Sequence, residues 1–416
     1  MRSANAVLPA VGFAPETLLA PRQALVAYFS RVRIGPTGTE AVAIDDAMGR
    51  VLAQSVAADE DYPNAPRSTM DGFAVCAAWT PGVLSVVGGV TMGRAPNVSL
   101  RGVRHALRIP TGGVLPDGAD AVVPVEDVRL EGERLFVDAV VSPGANVVPP
   151  GADMRAGEPL LTPGRRVRAA ECGLLATLGI TGPLVYRRPR IAVLSSGDEL
   201  VEAQCRPRPG EVRDSNRYAV AASLRAMGAL PLHYPTLRDE AAAFESVLVN
   251  AIAECDGVVV SGGSSVGERD RLPAAVAAVA TPGVVVHGLR VKPGKPALFG
   301  AHNGKPIIGL PGNPASALFI LEAVAAPIIA ALTGAVLEAA TLQAQLDTAV
   351  QSRAGWTWYV PVSLRHEGAM PVAHPLAVRS FSASLAARAD GFITMDERDE
   401  EWQAGTTVTV RRFFGG

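Results

Sequence analysis

Between Arg190 and Gly334, short apolar runs rich in β-branched residues alternate with helical patterns, and this alternation leaves the chain few folds to choose from. Arg190–Leu194, Leu230–Thr236, Gly257–Val260, Val284–Val291 and Lys305–Gly309 read as strands. Ser215–Met227, Glu240–Glu254, Leu272–Ala280 and Ala315–Leu332 carry apolar residues at helical spacing. Strands this apolar cannot face water on either side. The pattern predicts a mostly parallel sheet with helices on both faces, a three-layer α/β/α domain.

The flanking sequence has other textures. At 416 residues, the chain is expected to form two to four domains. Residues 1–55 look helical, through Leu25, Val26 and Phe29 and again through Ala47, Val51 and Leu52. Residues 56–149 are Val-rich with Gly and Pro punctuation and predict a small β domain. Residues 150–186 return to helical character, the run Cys172–Leu178 ending at Gly179. They are expected to pack back on the N-terminal segment, with the β domain inserted between them. Residues 336–416 turn to strands at Trp358–Leu364, Gly391–Met395 and Thr406–Arg411. Four units follow: 1–55 with 150–186, helical and extended; 56–149, inserted and β-rich; 187–335, α/β; and 336–416, a C-terminal β domain.

Composition excludes several classes. Lys plus Arg number 38 against 40 Asp plus Glu, a net charge of -2, which argues against a nucleic-acid binder. A chain that is 48% hydrophobic and 19% charged is not disordered. Cys76, Cys172, Cys205 and Cys255 form no C-x-x-C pair, which suits a reduced, cytoplasmic setting. The N-terminal apolar run is broken by Pro9 and does not read as a signal peptide. Ala315–Leu332 has Glu322 as its only charge, yet its Pro327 and its place after a strand and turn predict a buried core helix over a membrane span.

In an open parallel sheet, ligands bind beyond the carboxyl ends of the strands, and those ends here carry ligand chemistry. They are Ser196, Gly197, Asp198 and Glu199; Arg238 and Asp239; Ser261 through Asp270; Lys292 through Pro296; and Pro311 through Ser316. Gly262, Gly263 and Gly267, interleaved with Ser264 and Ser265, permit a concave backbone that faces an anion, though a plain strand-to-helix turn needs the same glycines. Asn313 and Pro314 fit the cap and first position of a helix, aiming its positive end at the rim, or serving structure alone. Lys292 and Lys295 project two ammonium groups from a stiff loop or stand as a solvated turn. Glu199, Asp239 and Asp270 suit Mg²⁺ beside a phosphorylated ligand, with helix capping as the competing role for Asp239 and Asp270. No Walker-A or dinucleotide fingerprint occurs, and the histidines show no metal-ligand spacing.

These loops resemble those of the molybdopterin molybdenumtransferase family, MoeA and the gephyrin E domain. The resemblance rests on Ser196–Leu200, Asp214-Ser215-Asn216, Gly262–Asp270, Lys292–Pro296 and Gly309–Pro314. Upstream, Ser68–Val75, Arg108–Gly113 and Gly151–Gly157 also match the family's motifs in order. The resemblance implies insertion of molybdenum from molybdate into adenylylated molybdopterin, with AMP released and Mg²⁺ assisting. By it, Asp71, Thr111, Asp153, Glu199, Asp239 and Asp270 are catalytic, the last three Glu199, Asp239 and Asp270 holding the metal. It likewise assigns to substrate Ser196, Gly197, Asp198, Ser215, Gly262, Gly263, Ser265, Gly267, Lys292, Lys295, Pro296, Pro311, Gly312, Asn313 and Ser316. It further implies a homodimer with shared active sites, Asp71 and Thr111 acting in trans, and a molybdopterin adenylyltransferase-type protein as upstream donor.

The C-terminal unit departs from the pattern. Pro361 stands where family members place an Arg, while the family's partner serine corresponds to Ser380, beside Arg379, and the resemblance assigns both Arg379 and Ser380 to substrate. A guanidinium fork holds a tetrahedral oxyanion well, so either Arg379 or Arg353 replaces it, or the oxyanion is held more weakly or is a different one, such as tungstate. Beside the transferase stand two further readings: adenylyl transfer onto molybdopterin, and a non-catalytic dimeric scaffold or cofactor carrier.

Overall fold

A computed structural model describes residues 17–238, 241–264, 271–336, 339–366, 368, 370–377 and 383–415. By contact the chain forms two compact units, one comprising residues 54–162 with 177–179, the other the remainder.

The first unit is a β fold. Its strands are β1 (Gly72–Val75), β2 (Gly82–Gly89), β3 (His105–Ile109), β4 (Ala121–Pro124), β5 (Arg129–Glu131) and β6 (Arg134–Val137), in the spatial order β4-β1-β3-β2-β6-β5. All neighbours are antiparallel except β2 and β3. Phe73, Val75, Leu84, Ala106, Val123 and Leu135 fill its core. Gly72 is obligatory in the central strand, because any Cβ there would run into the Val123 carbonyl.

In the larger unit, α1 (Pro21–Arg31) starts on proline and buries Ala24 and Tyr28, whose hydroxyl donates to the Gly300 carbonyl at 3.1 Å. The helical reading of Ala47, Val51 and Leu52 does not hold. Gly49 turns the chain at φ +76, and Val51 and Leu52 pair as isolated bridges with Arg166 and Val185. Both are buried, so neighbouring apolar residues that look like helix spacing are in fact two sides of an extended segment. Thr39–Ala41 pairs antiparallel with Leu184–Tyr186, which ties the early and later arms together. The helix expected near Cys172–Leu178 forms as α2 (Ala169–Thr177).

The α/β sheet consists of β7 (Arg190–Ser195), β8 (Leu230–His233), β9 (Gly257–Ser261), β10 (Pro282–His287), β12 (Leu298–His302) and β13 (Lys305–Leu310), ordered β8-β7-β9-β13-β12-β10. Between them in sequence lies the short β11 (Val291–Lys292), which belongs to another sheet. β8, β7, β9 and β13 are parallel; β12 opposes them, and β10 opposes β12. Five of the six strands therefore point one way. Alternation along each strand feeds two cores: Ile191, Val193 and Val259 meet α1, α3 (Asn216–Ala226) and α6 (Pro314–Thr333) on one face. Ala192, Leu194, Val258 and Val260 meet α4 (Ala241–Glu254) and α5 (Leu272–Val279) on the other. Two sequence expectations change here. The strand read as Val284–Val291 ends at His287, where Gly288 at φ +87 turns the chain, and Leu298–His302 is a strand the sequence reading passed over.

The helix α6 has mean hydropathy 2.1, and 72% of that window is buried. It widens from α to π winding over Ile320–Ala325. Its apolarity belongs to a core helix.

The C-terminal strands β14 (Thr341–Leu346), β15 (Thr357–Arg365), β16 (Val372–Pro375), β17 (Gly391–Met395) and β18 (Thr407–Arg411) run in the order β15-β16-β14-β18-β17 and close through β15–β17 pairing. This is a five-stranded barrel, and β11 adds to it from the α/β side, parallel to β15. Phe319 of α6 meets Phe392 of the barrel edge-on at 5.4 Å, inside one continuous core.

Candidate active site

The carboxyl ends of the parallel strands gather at one rim. Ser196 extends β7 by donating its N–H to the Ser261 carbonyl at 2.9 Å, and Gly197 N–H reaches the Leu237 carbonyl at 3.2 Å. Gly262 donates to the Leu310 carbonyl at 3.0 Å at φ +87, and a Cβ on it would strike the Ser196 carbonyl. A Cβ on Gly263 would stand 3.2 Å from Ser196 Oγ, and one on Gly312 would stand 3.8 Å from Gly262 Cα. Three strand tips thus meet here, and at Gly262 the approach to the Ser196 backbone is too close for any larger residue.

Polar side chains lock these tips. Ser264 Oγ donates to the Leu310 carbonyl at 3.1 Å, and His287 Nε2 meets the Ser264 carbonyl at 2.9 Å. Asn216, at the start of α3, donates from Nδ2 to the Gly312 carbonyl at 2.9 Å. Ser215 precedes it at the cap position. Arg238 donates to the Asp198 carbonyl at 2.8 Å, which joins the tip beyond β8 to that beyond β7. Asn313 caps α6 by accepting from Ser316 N–H at 3.3 Å, with Pro314 at the first turn and Pro311 just before. Among the described residues, Asp214 Oδ2 and Asn216 Oδ1 are buried acceptors with no hydrogen-bond partner, beside this rim. Such atoms favour a donor-bearing guest over an apolar one.

Glu199 is exposed, and its carboxylate folds over Gly197, where a Cβ would meet Oε2 at 2.6 Å. An oxygen donor is therefore present at the rim. Asp239, Ser265, Gly267 and Asp270 lie outside the described residues, as do Arg379 and Ser380. Among the described residues, no group of three or more His, Cys, Asp or Glu side chains could hold a metal.

The lysine loop follows a different course from the other tips. Lys295 accepts through its carbonyl from Leu289 N–H at 2.8 Å, with Pro296 next to it, and a Cβ on Gly294 would run into Ile320 of α6. Lys292 pairs in register with Trp358 of the barrel, its Nζ 3.9 Å from the ring centroid. The sequence reading set both lysines on the sheet's rim; the early end of β10 and the pairing of β11 with β15 turn Lys292 to the barrel instead.

In the β unit, two separate motifs fuse. Ser68 N–H donates to the Gly113 carbonyl at 2.9 Å, Gly112 N–H to the Ser68 carbonyl at 2.8 Å, and Arg67 Nη1 to the Gly112 carbonyl at 2.9 Å. Asp71 Oδ1 then accepts from Thr111 N–H at 2.6 Å and from its hydroxyl at 2.9 Å. The Thr111 backbone N–H, then its hydroxyl, hold the Asp71 carboxyl below the ordinary aspartate range. Asp71 and Thr111 are both exposed. Asp153 sits in a separate turn, its N–H on the Tyr62 carbonyl at 3.0 Å. Sequence reasoning placed Arg238 at the rim but missed His287 and Trp358 as residues that shape its surroundings. The Asp198–Arg238 contact had no signal at all, whereas an aromatic opposite Lys292 follows once the strand register is known.

A three-layer domain with a glycine-built rim, an inserted β unit and a barrel defines the class, and comparison places it. The MoeA N-terminal region (domain I and II) matches residues 19–179, a probable molybdopterin binding domain matches 192–331, and the MoeA C-terminal region (domain IV) matches 343–413. A Synechocystis molybdopterin molybdenumtransferase is 33% identical over 381 residues, spanning 88% of this chain and 93% of its own. A Bacillus subtilis protein of the same name is 30% identical, spanning 89% of each chain. The crystal structure of a molybdopterin biosynthesis MoeA protein from Pyrococcus horikoshii superposes with TM-score 0.80 at 31% identity, covering 96% of this chain and all of that one. The chain belongs to the MoeA family.

Proposed function

We propose that this protein inserts molybdenum from molybdate into adenylylated molybdopterin and releases AMP, a step of molybdenum cofactor biosynthesis. The observation that carries the reading is the rim where Ser196, Gly262, Gly263 and Gly312 converge in front of the α6 N-terminus. Phosphate oxygens are stabilised by the positive end of a helix and by closely approachable backbone. Full-length relatives that carry the molybdenumtransferase name support it over adenylyl transfer from ATP or a silent carrier.

In this reading, the rim holds the phosphoanhydride, and Lys292 and Lys295 attract the oxyanion. Bound Mg²⁺, with Glu199, Asp239 and Asp270 as its carboxylates, would draw charge from the phosphate oxygens. Asp71, held ionised by Thr111, together with Asp153 supplies further carboxylates from the β unit, and a homodimer in the cytoplasm completes each site with a partner copy. A molybdopterin adenylyltransferase-type protein supplies the substrate. The test is direct: purified protein given adenylylated molybdopterin, Mg²⁺ and molybdate releases AMP, and withholding molybdate or chelating Mg²⁺ stops it. AMP formed from ATP alone, or tight binding without turnover, would replace this reading with one of the other two.

A further inference from the structure

Glu199 stands near the start of an excursion that leaves the sheet after β7 and returns at α3. The excursion is punctuated by Gly197, Pro207, Pro209 and Gly210, a composition that favours loop. Its outgoing and returning arms lie side by side. Val212 N–H donates to the Glu199 carbonyl at 2.8 Å and Asp214 N–H to the Val201 carbonyl at 2.9 Å, as Leu200–Val201 and Val212–Arg213 pair in parallel. A two-stranded ladder is marginal in water by itself. What it leans on therefore decides where the Glu199 carboxylate is carried.

It leans on Arg217, in the first turn of α3, whose side chain is 18% exposed. The Arg217 backbone N–H donates to Asp214 Oδ1 at 3.1 Å and fastens the returning arm. Its Nη1 donates to Glu202 Oε1 at 3.2 Å and fastens the outgoing arm, three residues beyond Glu199. Its Nε donates to His233 Nδ1 at 3.3 Å, on the edge strand β8. One planar fork thus joins excursion, helix and sheet, a geometry that a lysine cannot copy. An isolated surface ion pair contributes little, but contacts that share one half-buried guanidinium act as a network. Beyond the same strand, Arg238 holds the Asp198 carbonyl at 2.8 Å, so Glu199 lies in sequence between two arginine-held points. We propose that Arg217 is a positioning residue: by clasping Glu202 it fixes the Glu199 carboxylate at the rim and so sets the affinity of the rim for a divalent cation. The proposal rests on the reading above, in which Glu199 is one of the metal's carboxylates.

The test uses the full chain with Arg217→Met, Glu202→Ala and the two combined. Each single change raises the Mg²⁺ concentration for half-maximal AMP release about fivefold, the scale of one coupled contact. The half-saturating molybdate concentration stays within about twofold, because the lysine loop shares no partner with Arg217. The double variant is no worse than either single one, since both remove the same contact. Independently of turnover, the Val212 amide exchanges with deuterated solvent faster in all three variants, while the Gly262 amide, bonded to the Leu310 carbonyl, keeps its wild-type rate. Mg²⁺ added with AMP slows the Val212 exchange in the wild type, and the variants need about fivefold more of it. Wild-type Mg²⁺ dependence in Arg217→Met overturns the proposal. So do losses that add in the double variant, or a Gly262 amide that loosens together with Val212, which marks a general loss of structure. Should the wild type release no AMP yet show the Mg²⁺-dependent slowing and its displacement in the variants, the positioning role stands and the proposed reaction falls.

Discussion

Asp71 shows how far single residues could be read from sequence. Ser68–Val75 and Arg108–Gly113 stand out as separate motifs, but nothing in a linear chain says that Thr111 grips Asp71 with both its N–H and its hydroxyl. The grip needs β1 and β3 side by side, with Gly72 letting β4 approach as well. Because those bonds lower the Asp71 pKa, the carboxylate stays charged to lower pH than an ordinary aspartate. In Thr111→Val the hydroxyl bond is lost and the backbone bond kept, so the pKa moves up toward 3.8 without reaching it. The acid limb of the pH–rate profile shifts to higher pH in the variant, with the neutral limb in place. An unmoved acid limb would show that Asp71 does not set it.

At the scale of elements, the parallel strands, most of their helices and the glycine-rich tips were legible, since β-branched runs and turn residues act locally. The β12–β13 hairpin was not read. Its turn, Asn303-Gly304, has φ +50 and +83, the very pair of left-handed residues that a two-residue hairpin demands. The signal is in the sequence, an Asn-Gly pair set between two apolar runs. The π widening of α6 had no signal, because Ile320–Ala325 keeps an apolar pattern that either winding satisfies. The tips themselves yield a paired prediction. Gly262→Ala forces a Cβ at φ +87 into the Ser196 carbonyl and costs about 1–3 kcal/mol in urea unfolding. In Gly312→Ala the new Cβ stands 3.8 Å from its nearest neighbour, so stability changes by less than about 0.5 kcal/mol. Equal destabilisation in both would mean that the rim is not packed tip against tip.

Across the whole molecule, the sequence suggested four separate units, yet α1, the α/β sheet and the barrel share one core. Contacts such as Tyr28 with Gly300, or Phe319 with Phe392, join residues far apart in the chain, and single-sequence periodicity is blind to them. The C-terminal segment shows the same long reach. Glu322, in the π segment and 3% exposed, accepts from Ser223 Oγ at 2.8 Å and from Phe414 N–H at 2.9 Å, while Arg411 donates to its carbonyl at 2.7 Å. Burial raises its pKa above the usual 4.5, with these donors and Arg411 only partly opposing. A raised folded pKa means stability that is complete below the unfolded value and declines as pH rises through the folded one. The thermal stability of the wild type therefore declines from pH 4.5 upward by this contribution. Glu322→Gln, neutral throughout and still able to accept from Phe414, loses that decline and melts no earlier than the wild type at pH 7.5. A steeper decline in the variant would refute the assignment.

The ribbon Val291–Lys292 is woven into the barrel while the residues just before and after it belong to the α/β half. Any swing that parted the two would have to tear the backbone ladder between Lys292 and Trp358. The two halves are thus stitched by main chain, and whatever moves at that seam is left to side chains.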